Sequence, residues 1–178
     1  GTVAMLSYFA VSLFLLILSL STSVATERGV YQSERVKSPF VLGFLKPKVY
    51  LPFGLSADTQ SYVLRHEHAH IKRFDHLVKP LAFLVLAIHW FNPLVWVAYI
   101  LLCRDIEYAC DEKVIRDMGS EQRKEYAAAL LACGVKGSRT VACPVAFGEI
   151  SVKQRILKTL NYKKPAFWIV LVAVVACI

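Results

Sequence analysis

The chain has 178 residues, enough for one domain of ordinary size, but 56% of them are hydrophobic and the mean hydropathy is +0.48, which excludes an ordinary soluble composition. A formal charge of +8 raises the question of nucleic acid. No aromatic-and-basic binding motif accompanies the charge, so direct nucleic-acid binding is excluded and a basic surface lying against anionic lipid is expected instead.

No charged residue precedes Glu27. The run VAMLSYFAVSLFLLILSL (3–20) holds 18 apolar or weakly polar residues, close to the ~20 that a helix needs to cross a bilayer. Residues 1–21 are therefore predicted to form a transmembrane helix. No Lys or Arg leads into the run, which favours an anchor over a signal peptide. A polar connector follows over 22–38. SPFVLGFLKPKVYLP (38–52) carries Pro and Gly at its joints around a β-branched and aromatic centre, and predicts a small β-element of one or two strands. Ser56 and Asp58 can cap a helix that runs to about residue 77, with Tyr62, Val63, Ala69, Phe74 and Leu77 on its apolar side.

The uncharged block 80–103 comes next, interrupted by Asn92–Pro93. Helices are predicted over 104–118 and 120–133, stopped by Gly119 and Gly134. Residues 134–150 show no clear period. ISVKQRILKTL (150–160) reads as a basic amphipathic helix leading to PAFWIVLVAVVACI (165–178), the expected start of a truncated transmembrane helix. The fold class expected is mainly α, with membrane-embedded helices and the small β-element before the second helix. All 21 Lys and Arg residues lie between Arg28 and Lys164, so that segment is expected to face the cytoplasm. The five cysteines are odd in number and lack CxxC spacing. They read as buried or membrane-facing thiols.

The chemistry is concentrated in LRHEHAHIKRFDH (64–76). His66, Glu67 and His70 match H-E-x-x-H. Two histidines four residues apart share one helix face and can both reach a single zinc ion, while Glu67 sits where a carboxylate takes the proton of a metal-activated water. His68 and His76 fall on other faces of the helix. A catalytic zinc needs a third protein ligand. Glu107 and Asp111 share a face of the 104–118 helix, as a metal carboxylate and an outer carboxylate accepting a histidine N–H would. An ordinary acidic surface, with Asp105 and Glu112 nearby, is the other reading of that stretch. If Glu107 is a ligand, the block 80–103 must return to the side it left. Pro93 divides it into two arms too short to span, and a hairpin dipping into the bilayer is expected in preference to a full crossing.

These segments have a family look. SPFVLGFLKPKVYLP, HEHAHIKRFDH, IHWFNPLVW, EYACDEKVI and FGEISVKQRILKTLNYKKP follow one another as in the BlaR/MecR-type sensor-transducers, integral-membrane zinc metalloproteases best known from bacterial β-lactam sensing. The resemblance runs from about residue 38 to 165. It implies His66, His70 and Glu107 as zinc ligands, Glu67 as the catalytic glutamate and Asp111 as the carboxylate neighbour. It further implies a gluzincin-like, cytoplasmic metalloprotease domain over 22–164 in a multi-pass protein of the cell membrane, with cleavage of the receptor itself or of a transcriptional repressor. A homodimer is one assembly open to it. No Ser-x-x-Lys acylation motif of a penicillin-binding sensor occurs. The strand at Val49, Tyr50 and Leu51 is expected to offer an edge to an extended substrate. Arg104 and His89 are the basic side chains considered for the oxyanion.

Overall fold

Residues 1–20, 23–27, 29–136 and 152–162 are described by the computed structural model of the chain. The elements are α1 (Thr2–Leu20), β1 (Val24–Glu27), β2 (Val30–Ser33), β3 (Phe40–Leu42), β4 (Lys48–Pro52), α2 (Ala57–Lys72), α3 (Asp75–Ile88), α4 (Pro93–Ile115), α5 (Ser120–Lys136) and α6 (Val152–Leu160). The architecture is mainly helical around one four-stranded sheet of order β1-β2-β4-β3. The expected segment 165–178 and most of the unperiodic stretch 134–150 lie outside the described residues.

The polar connector hides two strands. β2 runs parallel to β4, with Val30 opposite Val49, and β3 pairs antiparallel with β4 on its other side. The β3–β4 hairpin turns at Gly43, whose φ of +117° and the Lys46 carbonyl 2.7 Å from where a Cβ would stand leave room only for glycine. β4 is therefore an inner strand, with both edges already hydrogen-bonded. The expectation that Val49, Tyr50 and Leu51 present a free edge to substrate is wrong for that reason; among the described residues the outer strands of the sheet are β1 and β3. Alternation along β4 does the packing instead. Val49 and Leu51 bury against Val63 of α2, while Tyr50 turns to Leu20 and Val36 on the other face.

Ser56 caps α2, its hydroxyl accepting from the Thr59 amide at 3.3 Å. The helix was expected to continue to about residue 77, but it stops at Lys72. Phe74 takes a left-handed conformation, φ 60°, and α3 restarts at Asp75. The break also leaves Phe74 exposed rather than on the apolar side. Within an unbroken helix Asp75 would lie about 140° round from His70; the turn at Phe74 brings its carboxylate back to the His70 ring.

The uncharged block folds back on itself. Asn92 caps α4, its side chain accepting from the Leu94 amide at 2.9 Å, and Pro93 occupies the first turn where a missing N–H costs nothing. α3 and α4 pack as a hairpin around Phe83, Leu86, Ala87, Tyr99 and Cys103, and α1 lies alongside through the stacked Phe9 and Phe83 rings. His89 and Asn92 stand at the turn. Among the described residues no helix is long and apolar enough to cross a membrane; the 19 residues of α1 cover roughly 28 Å against the ~30 Å of a hydrocarbon core.

Candidate metal centre

The hairpin carries Glu107 back to the histidines of α2. His66 Nε2 and His70 Nε2 are 3.1 Å apart, Glu107 Oε2 is 3.4 Å from the first and Glu107 Oε1 is 3.5 Å from the second. A tetrahedral ion with N and O ligands at ~2.0–2.1 Å needs donor atoms roughly 3.3 Å apart. The donor set therefore fits such an ion in both chemistry and spacing, and the three residues form one of the candidate metal-binding groups among the described residues. The other group is His70, Asp75 and Cys110, which shares His70 and backs it from behind. Glu67 is buried on the same helix as the histidines, one residue after His66. His68 is exposed, its Nδ1 turned to the Leu64 carbonyl, on the far side of the helix.

Each histidine is held from its far nitrogen by a buried carboxylate. His70 Nδ1 donates to Asp75 Oδ2 at 2.9 Å, and the Cys110 thiol donates to the same oxygen at 3.3 Å. His66 Nδ1 lies 3.1 Å from Asp111 Oδ1 and 3.0 Å from the Tyr126 hydroxyl, which donates to that carboxylate at 2.7 Å. With both Nδ1 atoms held on the carboxylate side, both Nε2 atoms turn to the common focus. Such carboxylate–histidine pairs fix the ring and its tautomer in metal sites.

Two cations complete the site. Lys79 of α3 pairs with Glu107 Oε1 at 3.0 Å. Arg155 of α6 grips Asp111 through two hydrogen bonds of 2.7 and 2.8 Å and reaches Glu107 Oε2 at 3.3 Å. Burial raises the Glu107 and Asp111 carboxyls, but the opposing charges and hydrogen bonds outweigh it: Lys79 and His66 hold Glu107 well below the usual carboxylate range, and Arg155 and His66 do the same for Asp111. Burial likewise works against a charged His70, yet hydrogen bonds to Asp75, Cys110 and Glu107 push it up to about 12.

Sequence reasoning missed Asp75, Lys79, Cys110, Tyr126 and Arg155. Asp75 was in view within LRHEHAHIKRFDH, but only the break at Phe74 gives it a role. The others come from elements whose relation to α2 no local spacing encodes. His89, considered for the oxyanion, caps the far end of α3, about 20 Å of helix from Asp75, and is exposed. Arg104 lies on α4, and its buried Nε has no hydrogen-bond partner among the described residues.

The family model described as BlaR1 peptidase M56 matches residues 16–158. The chain is 31% identical over 140 residues to the regulatory protein BlaR1 of Bacillus licheniformis, covering 74% of this chain and 23% of that protein. It is 26% identical over 133 residues to the methicillin resistance mecR1 protein of Staphylococcus aureus, covering 70% of this chain and 23% of that protein. The mecR1 protein of Staphylococcus epidermidis matches to the same extent. The chain thus spans about a quarter of the length of the curated relatives it matches. A model match over most of its length and the identity to BlaR1 establish that the chain belongs to the BlaR1 peptidase M56 family, a family of peptidases.

Proposed function

We propose that the chain is the catalytic part of a membrane-bound zinc metalloendopeptidase in a bacterial signal-transducing receptor. The observation that carries this reading is the triangle of His66, His70 and Glu107 donor atoms with Glu67 buried beside it. Two imidazoles and one carboxylate leave one position of a tetrahedral ion open, the pattern of catalytic rather than structural zinc. Zinc held there by His66, His70 and Glu107 would supply a Lewis acid that activates the attacking water at neutral pH. Glu67 takes the proton of the attacking water and delivers it to the leaving nitrogen of the peptide. Asp75 and Asp111 hold the two imidazoles in the orientation that turns their Nε2 atoms to the metal position.

The substrate we infer is a protein: the receptor itself, a transcriptional repressor, or both. The regulatory and methicillin-resistance roles named for the relatives support induction of resistance-type genes as the outcome. Membrane attachment is supported by exposed apolar side chains along α1 and at the hairpin turn. Val11, Phe14 and Leu15 of α1 and Trp90, Phe91 and Leu94 at the turn are all exposed, and large exposed apolar surfaces mark membrane or protein contacts. The polar metal centre lies at the other end of the hairpin, consistent with a site facing the cytoplasm. His70→Ala and Glu107→Ala, assayed for zinc stoichiometry and for cleavage of peptide libraries, test the reading. Both variants should lose zinc and cleavage together; retention of stoichiometric zinc by both would refute the ligand set.

A further inference from the structure

Arg155 enters the centre from α6, a helix separate from those that carry the donor atoms. Its side chain is 16% exposed and forks onto Asp111, with Nε 2.8 Å from Oδ2 and Nη2 2.7 Å from Oδ1. A bidentate arginine–carboxylate pair fixes both the plane and the direction of the guanidinium. With that grip made, the end of the group still faces the donor atoms. Nη2 is 3.2 Å from His66 Nε2 and Nη1 is 3.3 Å from Glu107 Oε2. Those contacts place the guanidinium edge on the rim of the donor triangle, so a substrate oxygen bound beside the metal position lies against it.

The other polar groups of the site are placed differently. Lys79 Nζ meets Glu107 Oε1 at 3.0 Å, on the side towards α3. The Tyr126 hydroxyl lies behind the His66 ring, at Nδ1, and is engaged with Asp111. Arg155 combines N–H donors on the rim of the donor triangle with a carboxylate partner that fixes them there before substrate arrives. That combination is what stabilisation of a developing oxyanion requires.

Building on the peptidase reading, we propose that Arg155 is a catalytic residue, the donor that receives the negative charge developing on the carbonyl oxygen of the scissile peptide. The water oxygen attacks the carbonyl carbon while Glu67 takes the water's proton. The C=O π pair moves onto the carbonyl oxygen, and an Arg155 N–H donates to the oxyanion so formed. As the carbonyl re-forms, the C–N bond breaks and the proton on Glu67 passes to the leaving nitrogen. No other reactant is needed.

The competing role is positional: Arg155 would act only by holding Asp111, and through it His66. Arg155→Met and Arg155→Lys in the zinc-loaded full chain in detergent micelles separate the two. A catalytic role predicts that Arg155→Met lowers kcat/KM about 10²–10³-fold. The affinity for a phosphinic peptide, whose anionic tetrahedral centre mimics the oxyanion, falls by a matching factor. Zinc affinity stays within about threefold, well inside the 10–100-fold lost when an outer partner that orients a ligand is removed. Arg155→Lys, which keeps the charge, recovers part of both losses, and its zinc stoichiometry verifies that the site is folded. A 10–100-fold loss of zinc affinity, with activity restored by excess zinc, overturns the proposal in favour of the positional role. So does unchanged binding of the phosphinic peptide. If the wild type cleaves and Arg155→Met cleaves as well, this role alone fails; if the zinc-loaded wild type cleaves nothing, the peptidase reading fails and takes this role with it.

Discussion

Asp75→Asn isolates the contribution of a residue that touches no candidate ligand atom facing the metal. The asparagine keeps the size of the side chain and can still accept from His70 Nδ1, but it removes the charge from a buried contact of 2.9 Å. Asp75 is 3% exposed, so solvent does little to screen that charge. Its loss makes the imidazole a weaker donor to a metal and loosens the hold on the ring. Loss of an outer carboxylate of this kind costs ~10–100-fold in metal affinity, or about 1.4–2.7 kcal/mol. Equilibrium competition with a zinc-chelating dye at fixed pH measures the change directly. Asp105→Asn, on an exposed position of α4, serves as the control and should leave the affinity unchanged. Wild-type affinity in a folded Asp75→Asn variant would show that the His70–Asp75 contact does not support the metal, and the argument for the helix break would lose its purpose.

Zinc binding should be proton-coupled, because hydrogen bonds to Asp75, Cys110 and Glu107 push His70 up to about 12 against its burial, and a ligating imidazole must be neutral. Apparent affinity should therefore rise with pH by about tenfold per unit for each proton displaced. Calorimetry at pH 6 in buffers of different ionisation enthalpy should count at least one proton released per zinc, at a pH below the ~7 of a zinc-bound water; a count of zero contradicts the assignment. The Glu107, Asp111 and Asp75 carboxyls are all lowered in the fold, so their contribution to metal-free stability is present above the unfolded values of ~4 and lost as pH falls below them. Unfolding midpoints between pH 6 and 3 should fall accordingly, and a flat profile contradicts the ion-pair network. Leu51→Ala empties a fully buried position between the sheet and α2, and should cost about 3 kcal/mol in denaturant unfolding. Leu45→Ala, at a position 97% exposed, should cost almost nothing.

What the sequence discloses about this site follows from the range of each interaction. His66, Glu67 and His70 are legible because a helix turns spacing into direction, and Asn92–Pro93 is legible because a cap and an N1 proline are local chemistry. Glu107 required a further step, from the need for a third ligand to a fold-back that the break at Pro93 permits. β1 and β2 went unseen, as two runs of four residues with little alternation in a polar stretch. The free edge expected of Val49, Tyr50 and Leu51 failed because strand order is a long-range property: β2, from the connector read as polar, occupies that edge. Arg155 was visible only as one charge of a basic amphipathic helix. Its burial against Asp111, 44 positions earlier, is set by how α6 packs on α4 and α5. Asp75 lay five residues from His70, but a left-handed Phe74 is not a conformation that sequence announces.

The central claim is that zinc on His66, His70 and Glu107 serves peptide hydrolysis with Glu67 as the proton carrier. Its most direct test measures zinc content and peptide cleavage on the same preparations of wild type and Glu67→Ala. The account predicts one zinc per chain in both and cleavage by the wild type alone; undiminished cleavage by zinc-loaded Glu67→Ala would contradict it.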